Sequence, residues 1–97
     1  MTKAEIIKKI AETTGIDSKS VSAVVESFME EVRVSLADNK EDVFLRGFGS
    51  FIVKHRAQKT ARNISKNTTI VIDAHDLPAF KPAKSFIARM HGVVEND

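Results

Sequence analysis

Residues 43–72 read VFLRGFGSFIVKHRAQKTARNISKNTTIVI, and the change of character inside this stretch decides the fold. Val43-Phe44-Leu45 and Ser50-Phe51-Ile52-Val53 are aromatic and β-branched, so they predict two strands, joined by a turn near Gly47 in Arg46-Gly47-Phe48-Gly49. From Lys54 to Asn63 nothing apolar is larger than alanine, and such a run cannot pack into a core. Ile64-Ser65-Lys66-Asn67 then has turn chemistry in Ser65 to Asn67, and Thr68-Thr69-Ile70-Val71-Ile72 is strand-like again. The prediction is a hairpin whose outer part projects into solvent. With about eight residues per leg at about 3.3 Å each, it reaches on the order of 25 Å.

On the N-terminal side the pattern is helical. Thr2 and Glu5 form a capping-box pair ahead of Ile6, Ile7, Ile10 and Ala11, which predicts a helix over about residues 3–14. Gly15 is placed to end it in the left-handed conformation, and Asp17 to cap a second helix. In that helix Val21, Val24, Val25, Phe28, Met29, Val32 and Leu36 make one apolar stripe, opposed by Glu26, Glu30, Glu31 and Arg33. Asp38-Asn39-Lys40 breaks it. On the C-terminal side, Leu77-Pro78-Ala79-Phe80 returns the chain to the body. Lys81-Pro82-Ala83-Lys84 opens a short last helix, with Pro82 in its first turn and Gly92 at its end. The sum is one α+β domain over residues 1–92, with two N-terminal helices, a three-stranded antiparallel sheet bearing the long arm at about residues 54–73, and a short C-terminal helix. Residues 93–97 are a loose tail.

Composition narrows the function. The chain has 97 residues, 42% hydrophobic and 29% charged, which suits one ordinary globular domain. It has no cysteine, which excludes disulfides, thiolate nucleophiles and Cys-ligated zinc, and fits a reducing compartment such as the cytoplasm. No run approaches the roughly 18 apolar residues of a membrane span, and the first residues lack the apolar stretch of a signal peptide. At this size a single core is thin, so dimerisation is a natural remedy.

Charge is divided along the chain. Residues 1–42 hold six Lys/Arg against nine Asp/Glu, a net −3, whereas residues 43–97 hold nine against four, a net +5. Lys54, Arg56, Lys59, Arg62 and Lys66 put five cations and no acid into the nineteen residues from Lys54 to Ile72. Phosphate backbones favour such a run, because each neutralised phosphate releases condensed counterions. A charge run alone also suits an inert solvated loop. On a projecting ribbon that fits a DNA groove, it points to nucleic acid. None of the six phenylalanines lies in the arm, which argues for duplex DNA over single strands that need aromatic stacking platforms.

The order and spacing of these features, namely the helix pair, Gly47-Phe48-Gly49-Ser50-Phe51, the arm with Arg56, Arg62 and Asn63, and Leu77-Pro78-Ala79-Phe80-Lys81-Pro82, resemble the bacterial HU and integration host factor family of histone-like architectural DNA-binding proteins. The likeness covers residues 1 to about 92. It implies an intertwined dimer, of two identical chains or of the chain and a paralogue, whose β-arms embrace duplex DNA in its minor groove and bend it in the nucleoid. Carried over by motif, Lys54, Arg56, Lys59, Arg62 and Asn63 meet DNA from the arm; Lys66, as one of the five cations of the run, is a further DNA-binding candidate. Lys81 and Lys84 meet phosphates from the body, and Lys3 is a further candidate. The family usually has proline after the Arg-Asn pair, as a wedge between base pairs; here the residue is Ile64, still an apolar wedge but not a rigid one. Two smaller departures are Ala83, where glycine is common, and Asp73, where proline often stands.

Other readings are weaker or stay open. A helix-turn-helix around Gly15 would set Glu26, Glu30 and Glu31 against phosphates. His55, His75 and His91 are sixteen or more residues apart, with no close second ligand for a metal. His55 beside Arg56 either strengthens DNA binding in acid or is a spectator. Arg46 either faces DNA or pairs with Glu41 or Asp42. There is no nucleophile with a base, no carboxylate pair and no cofactor fingerprint, so neither an enzyme nor a small-molecule substrate is expected. The competing class is a module whose basic hairpin folds onto an acidic protein.

Overall fold

The computed structural model describes residues 1–63 and 68–92, the side chain of Asn63 excepted. The chain folds as two compact units, Met1–Val34 and the part beginning at Ser35.

The first unit is a helical hairpin of α1 (Lys3–Thr14) and α2 (Ser18–Arg33), followed by a π-helical turn at Val34–Asp38. Local chemistry sets both ends of α1. The Thr2 hydroxyl accepts from the Glu5 N–H at 3.2 Å, and Gly15, at φ 75°, donates its N–H to the Ala11 carbonyl at 2.9 Å. A left-handed residue at this point disfavours any side chain, which is why glycine ends the helix. Asp17 caps α2 by accepting from the N–H and hydroxyl of Ser20, at 3.0 and 2.7 Å. Lys3 on α1 is ion-paired to Glu26 on α2. Of the apolar stripe, Val21 and Leu36 are buried, while Val24 is 67% and Phe28 45% exposed.

In the second unit β1 (Val43–Leu45), β2 (Gly49–Arg56) and β5 (His75–Pro82) form an antiparallel sheet in the order β1-β2-β5. A separate antiparallel ribbon pairs β3 (Lys59–Asn63) with β4 (Thr68–Ile72), and α3 (Lys84–Met90) closes the unit. The Arg46–Phe48 turn is held by the Phe48 N–H donating to the Leu45 carbonyl at 3.0 Å. Four phenylalanines pack beside it: Phe48 lies 5.2 Å from Phe80 and 5.4 Å from Phe86, and Phe51 lies 5.1 Å from Phe80, all tilted. Such ring pairs add on the order of 1 kcal/mol each beyond their burial.

Two expectations need correction. Pro82 does not enter the last helix. It is the final residue of β5, opposite Gly49, and Ala83 caps α3 instead. Proline is tolerated on an edge strand as readily as in a first helical turn, and β5 is an edge. The arm, moreover, is not one unbroken hairpin. The β2–β5 ladder ends at Arg56 opposite His75, the β3–β4 ladder starts at Lys59 opposite Ile72, and Ala57-Gln58 and Asp73-Ala74 lie unpaired between them. Instead of eight residues, each outer leg has five, about 17 Å at the usual strand rise. At the break the Nδ1–H of His75 donates to the Asp73 carbonyl at 2.8 Å, a side-chain bond to an oxygen outside both ladders.

Candidate nucleic-acid interface

Directly opposed residues in an antiparallel ladder share a face, and successive residues alternate. The register therefore sorts the second unit's sheet into two chemistries. One face carries the rows Phe44–Ser50–Lys81, Ile52–Ala79, Lys54–Leu77 and Arg56–His75. The other carries Val43–Phe51–Phe80, Leu45–Gly49–Pro82, Val53–Pro78 and His55–Asp76. Lys54, Arg56 and Lys81 thus stand together on the face turned away from Phe51 and Phe80.

Around the end of that cationic face lies a concavity whose lining includes Phe44, Arg46, Ser50, Lys81 and Lys84. Its one acid, Asp42, is engaged elsewhere, accepting from the Val53 N–H at 2.9 Å. Arg46, which the sequence leaves undecided, is therefore a candidate for the site. Among the described residues it has no ion pair with Glu41 or Asp42, and it lines the same hollow as both lysines. Lys84 is placed by the start of α3, which is stitched to the turn. The Ala83 N–H donates to the Phe48 carbonyl at 2.9 Å, and the Ser85 hydroxyl to the Gly47 carbonyl at 3.3 Å. Ala83 sits at φ −70° and ψ 156°, open to any residue, so no glycine is needed there.

Lys54, Arg56, Lys59, Lys81 and Lys84 are exposed and, among the described residues, in no ion pair. On the outer ribbon Lys59 shares a face with Ala61, Ile70 and Ile72, whereas Arg62 shares the opposite face with Thr60, Thr69 and Val71. Asn63 ends β3 opposite Thr68. Ile64 and Lys66, and the tail 93–97, lie outside the described residues. Lys3 belongs to the helical unit and is paired to Glu26 there.

Among the described residues three carboxylates are held below their usual range by the donors that meet them: Asp17 by the Ser20 hydroxyl and N–H, Glu26 by Lys3, and Asp76 first by His55 and then by Lys40. Among the described residues there is no cluster of metal-ligating side chains, and no helix is long and apolar enough to cross a membrane.

The model of the family described as bacterial DNA-binding protein matches residues 1–91. The chain belongs to that family, the one of HU and integration host factor. Integration host factor subunit beta of Shewanella amazonensis is 34% identical over 94 residues, spanning 96% of this chain and 98% of that one. Integration host factor subunit alpha of Saccharophagus degradans is 37% identical over 90 residues, 93% of this chain and 88% of that one. The chain of an Anabaena HU–DNA cocrystal structure superposes with a TM-score of 0.85 at 30% identity, covering 93% of this chain and 97% of its own. The helix pair, the Gly47-Phe48-Gly49 turn, the sheet and the arm of this family member follow the order in which the sequence presents them.

Proposed function

We propose that the protein is an architectural DNA-binding protein of the nucleoid, which works as a dimer, grips duplex DNA in the minor groove with two basic arms, and bends and compacts it with little direct reading of bases. The observation that carries this reading is the division of the sheet. Lys54, Arg56 and Lys81 share one face, Arg46 and Lys84 rim it, and the strands that bear them lead into a ribbon with further cations and no acid from Lys59 to Ile72. Such a surface neutralises phosphates whatever the base sequence. Lys59 and Arg62 on opposite faces suit a ribbon lying between the two phosphate rows of a groove. Asn63, Ile64 and Lys66 complete the arm, with Ile64 as the apolar wedge between base pairs. Residues 1–92 form the DNA-binding unit and 93–97 its tail.

Two copies of the chain, or the chain and a paralogue, make the functional dimer. A single copy exposes 67% of Val24 and 45% of Phe28 on α2, with Met90 78% exposed on α3. Burying one such side chain is worth about 1.5–3 kcal/mol, which a second subunit recovers.

The test is binding to a random-sequence duplex by fluorescence anisotropy across a salt series, with unlabelled random duplex and polyglutamate as competitors. Binding with a steep negative log–log slope, reversed by duplex and not by polyglutamate at equal charge, is expected. Reversal by polyglutamate alone would make the arm a dock for an acidic protein.

A further inference from the structure

The face of the sheet opposite the cations holds a charged constellation of its own. Asp76 on β5 accepts from the Nδ1–H of His55 on β2 at 2.8 Å, and its second oxygen meets the Lys40 ammonium, in the segment before β1, at 3.3 Å. His55 and Asp76 are opposed in the ladder, one rung before its last, Arg56–His75, beyond which pairing stops on both legs. Lys40 sits at φ 55°, a region that residues other than glycine seldom occupy. One carboxylate thus joins three segments at the root of the arm, where the backbone ladder gives out.

We propose that Asp76 is a positioning residue of the arm: by holding His55 and Lys40 together it fixes the direction in which the cation-bearing strands leave the sheet. The proposal rests on the DNA-binding reading above. Its placement explains how an acid serves a surface meant for phosphates. Alternation turns Asp76 away from Lys54 and Arg56, so it orders the arm without neutralising either.

The sign of one substitution tests this. Asp76→Asn removes a negative charge, so charge alone makes a polyanion bind more tightly. Positioning predicts the reverse: about threefold weaker binding, the scale of a partly exposed pair, with less shortening between dyes on the ends of the duplex. Asp76→Glu is expected to restore most of both. His55→Ala, which removes the group that Asp76 holds across the ladder, is expected to weaken binding and bending to a similar degree. Asp76→Asn or His55→Ala binding as tightly as the wild type and bending as much would overturn the proposal while leaving DNA binding intact. A wild type that fails to bind duplex at low salt would overturn the DNA-binding reading and this inference with it.

Discussion

At the scale of single residues, the requirement at Gly49 is steric. A Cβ there would come within 2.6 Å of both the Lys81 carbonyl oxygen and the Phe80 ring. Gly49→Ala is therefore expected to lower stability by about 1–3 kcal/mol in denaturant titrations, and an unchanged midpoint would show that β5 gives way freely. The capping and cross-strand carboxylates act in a pH window. Asp17, Glu26 and Asp76 are all held below their ordinary range, so the unfolded chain takes up protons before the folded one. Their contributions are complete at neutral pH and are lost as the pH falls below about 4.5. Thermal melts are expected to show that loss, and Asp17→Asn to flatten it in part. A melting profile identical to the wild type down to about pH 3 would contradict the role given to the cap.

Among the elements, legibility in the sequence depends on how local the cause is. Thr2, Gly15 and Asp17 act on backbone groups within four residues, and both helices begin and α1 ends where those residues stand. Pro82 misleads because the same ring suits an edge strand and a first helical turn. The break at Ala57-Gln58 and Asp73-Ala74 is invisible in the sequence, since a stretch without apolar residues carries no period to interrupt. The candidate site is legible as a set of cations and not as a surface. Alternation along β2 separates Lys54 and Arg56 from His55, but the joining of Lys40 to Asp76 spans thirty-six positions that no local pattern links. The surface makes its own prediction: replacing Lys54 and Arg56 together by alanine lowers the log–log salt slope of DNA binding by about two, one for each phosphate no longer neutralised. A slope unchanged by the double substitution would place these side chains off the DNA. Ile64→Ala is expected to keep most of the affinity and to reduce the bend, and an equal bend would remove Ile64 from the wedge role.

Taken whole, the molecule has little interior for its apolar content. Val21, Leu36 and Ala88 are its buried hydrophobics among the described residues, and no described side chain is fully buried. In the proposed dimer a second subunit supplies the missing cover, which ties stability to protein concentration, and the melting temperature is expected to rise with it. Phe28→Asp, which sets a charge on the exposed stripe of α2, is expected to shift sedimentation from dimer to monomer and to lower the melting temperature. The central claim, that the assembled protein is a DNA bender, is tested most directly by energy transfer between dyes on the two ends of a random-sequence duplex of about 35 base pairs, titrated with the wild-type protein at low salt. The account predicts saturable binding accompanied by a clear shortening of the end-to-end distance; saturation with the distance unchanged would make the protein a coat on straight DNA and contradict it.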